Sequence, residues 1–90
     1  MKKGICIVFI DKDRMAKILR ELETTGIKWA GGENPTEYTR WYKDKEYTNH
    51  ISLIINPSDK FCKKPFLTYD TDFEGIKERA KKGYSIFLYR

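Results

Sequence analysis

Hydrophobic positions along the chain follow two different periods. Gly4-Ile5-Cys6-Ile7-Val8-Phe9-Ile10 runs without a polar interruption and is rich in β-branched and aromatic residues, the pattern of a strand covered on both faces. Met15, Ile18, Leu19 and Leu22 then recur at i, i+3, i+4 and i+7, which predicts a helix with one apolar face. Lys12, Lys17, Arg20, Glu21 and Glu23 take its solvent side. Asp11 or Asp13 is placed to cap this helix, and Thr24-Thr25-Gly26 to end it, with Gly26 free to adopt a left-handed conformation. Ile27-Lys28-Trp29-Ala30 reads as a short second strand.

Gly31-Gly32-Glu33 breaks the periodicity. Asn34-Pro35-Thr36-Glu37 supplies a cap residue, a proline at the first helical position and an acid at the third, so a single helical turn through Tyr38 to Trp41 is predicted. His50-Ile51-Ser52-Leu53-Ile54-Ile55 is a third strand. Asn56-Pro57-Ser58-Asp59 is turn chemistry leading to a return strand within Lys60 to Tyr69, with Pro65 placing that strand near an edge. Thr71-Asp72-Phe73-Glu74 has the form of a capping box, and Phe73, Ile76 and Ala80 give a second helix a narrow apolar stripe ended by Lys81-Lys82-Gly83. Tyr84-Ser85-Ile86-Phe87-Leu88-Tyr89 is the last strand.

The predicted order is therefore β-α-β-β-β-α-β in one domain, 1–90, of the α+β class. It predicts a two-layer sandwich, an about five-stranded mixed sheet with two helices on one face. That arrangement leaves the second sheet face, with Cys6, Val8 and Ile10 or their alternates together with Ile54 and Phe87 or Tyr89, to be covered by the segment from Gly31 to Asn49 or by a second copy, so a homo-oligomer, a dimer or higher, is expected.

Composition narrows the function classes more than it selects one. Among 90 residues, 40% are apolar, 34% charged and 14% aromatic, the make-up of a globular domain with more rings than a small core needs. No apolar run approaches the about 18 residues of a membrane span. Asp11 to Arg14 cut short the one run that follows the basic start, so a cytoplasmic protein with no membrane partner is expected. The two cysteines, Cys6 and Cys62, lack CxxC spacing and are expected to be reduced, buried thiols, with no metal and no cofactor. A net charge of +5 favours anionic partners without forming a basic block.

The segment from Tyr38 to His50 is the richest in chemistry. Tyr38, Arg40, Trp41, Tyr42, Lys43, Tyr47 and His50 interleave flat rings with cations. That mixture suits a base and a phosphate, or equally a protein hot spot, or a core plug whose cations pair with Glu37, Asp44 and Glu46. These residues form the candidate ligand-binding set. Trp29 reads as a residue at the margin of the core. His50 is the single histidine, and no GxSxG or catalytic-cysteine signature is present, so no catalytic residue is assigned and no enzyme is expected.

Thr25-Gly26, then Ile27-Lys28-Trp29-Ala30-Gly31-Gly32, then Asn34-Pro35-Thr36-Glu37, together with Lys82-Gly83-Tyr84-Ser85-Ile86-Phe87, resemble small accessory proteins of tailed bacteriophages and their prophages. These stretches cover about half the chain, and no site residues carry over from them. The resemblance implies a phage product acting in the cytoplasm of the infected bacterial host. Such a protein would sequester an anionic nucleotide signal of host anti-phage immunity. The alternatives are an inhibitor that binds a host defence protein or nuclease directly and, third, a nucleic-acid-binding accessory protein.

Overall fold

The structure, a computed structural model, describes residues 4–9, 12–39, 51–60, 63–70 and 73–89. Its elements in chain order are β1 (Ile5–Phe9), α1 (Lys12–Glu23), β2 (Lys28–Trp29), a 3-10 turn (Pro35–Glu37), β3 (Ile51–Asn56), β4 (Phe66–Asp70), α2 (Phe73–Lys81) and β5 (Ser85–Tyr89). The expected α+β class and the expected order of elements are both present. The strands form one five-stranded sheet in the order β2-β4-β3-β1-β5. β3 runs antiparallel to β1 and β4, while the β1–β5 and β2–β4 pairs are parallel.

Alternation along β1 and β3 separates two apolar layers. Phe9, Ile51, Leu53 and Leu67 pack with Met15 and Leu19 of α1 and with Trp29. Cys6, Val8 and Ile54 lie on the opposite side and pack with Ile76 of α2, joined by Tyr84. The two helices therefore cover opposite faces, which corrects the expectation of two helices on one face. Connection chirality gives the reason. The crossover from β1 through α1 to β2 and the crossover from β4 through α2 to β5 link parallel strands but travel in opposite lateral directions across the sheet. Right-handed crossovers that move in opposite directions must use opposite faces. Cys6, Val8 and Ile54, expected on an open face, are at most 8% exposed.

The α1 stripe is the predicted one: Met15 and Leu19 are fully buried, and Ile18 and Leu22 pack against them. Asp13 lies in the first turn of α1. Thr24 and Thr25 turn their hydroxyls back to Glu21 O and Leu22 O at 2.7 and 2.6 Å, and Gly26 follows at φ 84°. The α2 stripe is narrower than predicted. Ile76 is buried, whereas Phe73 is 50% exposed and Ala80 is also exposed. The helix has nine residues, about two and a half turns, and Ile76 is its buried position.

The α2 face also buries polar groups, and each is partnered. Ser52 Oγ donates to Asp70 O at 3.3 Å, and Asn56 Nδ2 donates to Thr68 Oγ1 at 2.9 Å and to Phe66 O at 3.2 Å. Tyr84 OH closes the network by donating to Asn56 Oδ1 at 2.9 Å. Close approach elsewhere on this face requires glycine. A Cβ at Gly75 would collide with the Asp70 carboxylate, and one at Gly4 with the Tyr84 ring.

Candidate functional site

The β2–β4 edge gathers rings and cations from distant parts of the chain. Parallel pairing sets Lys28 beside Phe66 and Trp29 beside Leu67. The chain then doubles back on itself: Ala30 N donates to Leu67 O at 3.1 Å, Gly32 N to Trp29 O at 2.8 Å, and Trp29 N to Glu33 O at 2.9 Å. This return requires the positive φ of 96° at Gly32, which glycine adopts without steric penalty. Asn34 N donates to Glu37 Oε1 at 3.1 Å to start the 3-10 turn. Glu23 Oε1, from the end of α1, accepts from Thr36 Oγ1 at 2.6 Å and from Thr36 N at 3.1 Å. These bonds, the hydroxyl bond foremost, hold the Glu23 carboxyl below its ordinary pKa. The turn is thus tied to α1 and to the sheet at once.

Trp29 anchors the edge. It is 5% exposed, and its Nε1 donates to Pro35 O at 3.1 Å, so it serves as a residue of the core margin, as its position in the sequence indicates. The Tyr38 and Tyr69 rings meet it edge-on, with centroids at 5.6 and 6.2 Å. Their hydroxyls lie 3.3 Å apart. The three rings bound a shallow depression of about 200 Å³ with Gly31 and Glu33.

On the other side of Trp29 lies a groove of about 700 Å³, within the range of sites that hold small molecules. Its walls include Lys28, Lys63 and Lys64, the rings of Phe66 and Trp29, and the turn at Gly26. No carboxylate lines it among the described residues. Lys28 Nζ donates to Asn34 Oδ1, and the Glu23 carboxylate, whose pKa Lys28 also lowers, offsets part of its charge. Lys63 and Lys64 are exposed. The groove lies at the negative end of the α1 dipole, where Thr25 N donates to Leu22 O at 3.0 Å and Gly26 N to Glu23 O at 3.2 Å, so its lysines must outweigh that field to attract an anion. The groove therefore presents positive charge and flat apolar walls together, the two properties an anion carrying a ring requires.

Of the predicted binding residues, Tyr38 is among those described, and it supports Trp29 and Tyr69 beside the groove. Arg40, Trp41, Tyr42, Lys43, Tyr47 and His50 lie outside the described residues, as do Cys62 and Arg90. Lys63, Lys64 and Phe66 were not in the predicted set. Their signal is the run Lys60-Phe61-Cys62-Lys63-Lys64-Pro65-Phe66, which interleaves rings and cations as the Tyr38 to His50 segment does, and of which β2–β4 pairing sets Phe66 beside Lys28.

Other reactive groups serve the fold. Cys6 is fully buried, and desolvation pushes its thiol above the ordinary value despite a hydrogen bond with Ser52. Arg79 approaches Asp70 at 3.9 Å and lies over the Tyr84 ring at 5.9 Å. Among the described residues no cluster of His, Cys, Asp and Glu could hold a metal ion, and no helix is long and apolar enough to cross a membrane. No family model, curated protein or solved structure matches the chain.

Proposed function

We propose that this protein binds an anionic, ring-bearing small molecule of the nucleotide class in the groove at the β2–β4 edge and holds it without chemical change. The supporting observation is the groove's composition: three lysines, two ring walls and no lining carboxylate among the described residues. Lysine ammonium groups take phosphate as point charges. Each charge-assisted bond contributes about 1.5–3 kcal/mol and a stacked base about 1–3 kcal/mol. Micromolar affinity, about −8 kcal/mol, is reached when these contacts are made together in a preformed site. The resemblance of Thr25–Gly32, Asn34–Glu37 and Lys82–Phe87 to phage accessory proteins would give such binding a purpose, the sequestration of a nucleotide signal in an infected cell.

Thermal stability measured against mono-, di-, tri- and cyclic nucleotides tests this reading. Stabilisation should grow with phosphate charge and fall with added salt, reaching about 2.7 kcal/mol when ligand stands at a hundred times its Kd. Ligand released by heating should be chromatographically intact. No stabilisation by any nucleotide at millimolar concentration would remove the proposed class, and a cleaved product would replace binding with catalysis.

A further inference from the structure

The opposite edge of the sheet carries a second, independent surface. β5 is the outermost strand beyond β1. Its sequence, Ser85-Ile86-Phe87-Leu88-Tyr89, contains no charge, proline or glycine. Natural edge strands are usually kept from pairing by such residues, by a bulge or by being very short. β5 has five residues in unbroken register with β1, so none of these protections is present. Ile86, Phe87 and Leu88 are 40%, 55% and 52% exposed. Large apolar side chains thus emerge on both faces of the sheet at the strand whose outer side is unpaired among the described residues.

The backbone fixes what can dock there. Ser85 N donates to Gly4 O at 3.0 Å, so Ser85, Phe87 and Tyr89 turn their peptide groups toward β1. Ile86 and Leu88 therefore turn theirs outward. We propose that β5 pairs antiparallel with β5 of a second copy of this chain, about a two-fold axis that passes between the two Phe87 residues. In that register Ile86 stands opposite Leu88 of the second copy. Both residues sit at hydrogen-bonded positions, and every outward N–H and carbonyl of Ile86 and Leu88 is satisfied on both copies.

The side chains agree with the same register. The Phe87 rings meet on the α1 face at a non-hydrogen-bonded position, where Cβ atoms lie about 4.5–5.5 Å apart. On the α2 face each Ile86 meets the other copy's Leu88. A strand reading Ile-Phe-Leu about its centre is its own complement, as a two-fold interface requires. The exposed parts of Ile86, Phe87 and Leu88, backbone included, come to an area on the order of 300 Å² per copy. Two copies then bury about 600 Å², the size of a weak, transient interface that draws its register from the backbone bonds. A ten-stranded sheet results, with the lysine grooves at its two far ends.

Sedimentation equilibrium on the full chain, combined with site-directed cross-linking, tests the pairing. Wild type should dimerise weakly, with a Kd on the order of 100 µM. Phe87→Lys, which sets like charges opposite each other on an already exposed position, should raise that Kd at least tenfold. Leu88→Pro, which removes an outward N–H and leaves the β1 ladder intact, should do the same, and circular dichroism should show both variants folded. In a Cys62→Ser background, Phe87→Cys should oxidise to a covalent dimer, because its geometry suits a disulfide. Ile86→Cys and Leu88→Cys should not, because like residues at those positions are offset along the strands. A wild type that stays monomeric at 500 µM would overturn the proposal. So would a dimer indifferent to both Phe87→Lys and Leu88→Pro, or cross-linking through position 86 or 88 as fast as through 87.

Discussion

The two edges of one sheet are finished in opposite ways. At the β2 edge the strand has two residues, and the chain at once turns back over it through Gly32, the Asn34 turn and the Glu23–Thr36 tie. At the β5 edge a strand of five residues ends the sheet with its apolar side chains exposed. A short, well-tied edge cannot accept another strand, but its irregular backbone opens a depression in which side chains from β2 and from the approach to β4 converge. A long, regular edge offers no depression, but it displays a row of peptide groups. The first is the edge proposed to hold a small ligand, and the second the edge proposed to pair with a strand.

The largest expected effects test whether these edges differ in stability as they do in form. Trp29→Ala, which removes the buried ring and its bond to Pro35 O, should destabilise the protein by about 3–5 kcal/mol. Phe87→Ala at the other edge should change monomer stability by no more than about 1 kcal/mol. Chemical denaturation of both variants checks the contrast, and equal losses would break it. Two adjacent residues of β3 sharpen the picture of a sheet closed on both faces. Leu53→Ala and Ile54→Ala point to opposite layers, and each should cost about 2–5 kcal/mol. A small loss at Ile54 would restore the open face that the sequence had led us to expect.

Much of the architecture was readable because its signals are local. The spacing of Met15, Ile18, Leu19 and Leu22 gave α1 its buried face, and Thr24-Thr25-Gly26 gave its end. The placement of α2 was not readable, since it depends on strand order and crossover direction, which no short stretch of sequence encodes. Its stripe is narrower than spacing suggests, because Phe73 and Ala80 have the correct period but are the first and eighth residues of a nine-residue helix whose buried position is Ile76. Tyr38, read as a binding residue from its neighbouring rings and cations, packs against Trp29 and Tyr69 and does not line the groove. Lys63, Lys64 and Phe66 were missed because their partner, Lys28, lies far away in sequence and meets them through parallel strand pairing.

Intermediate effects concern ligand binding. Replacing both Lys63 and Lys64 by Glu should weaken nucleotide binding at least tenfold, consistent with the loss of one or more bonds of about 1.5–3 kcal/mol, with little change in Tm. Isothermal titration reads the first quantity and calorimetric melting the second. A binding loss that tracks a loss of folding would remove the groove from the account.

The smallest effects are pH-dependent, and they mark the tie at the β2 edge and the core beneath α2. Glu23 has its folded pKa depressed, first by the Thr36 hydroxyl. Its contribution is present above the unfolded carboxylate value of about 4.3 and is lost as pH falls through the lowered one. The stability gap between wild type and Glu23→Gln should therefore close on acidification. Cys6 is shifted upward by burial, so the unfolded chain releases its thiol proton first. Wild type should lose stability relative to Cys6→Ala as pH rises past about 8.5. Parallel pH-stability curves for the three proteins read both effects.

Titration of the ¹⁵N-labelled protein with the nucleotide that stabilises it most, followed residue by residue in NMR spectra, tests the division between the edges most directly. Shifts should concentrate at Thr25 to Trp29 and at Lys63 to Phe66, while the amides of Ser85 to Tyr89 stay in place. Shifts centred on β5, or an unchanged spectrum at millimolar ligand, would contradict the assignment of the ligand to the β2–β4 edge.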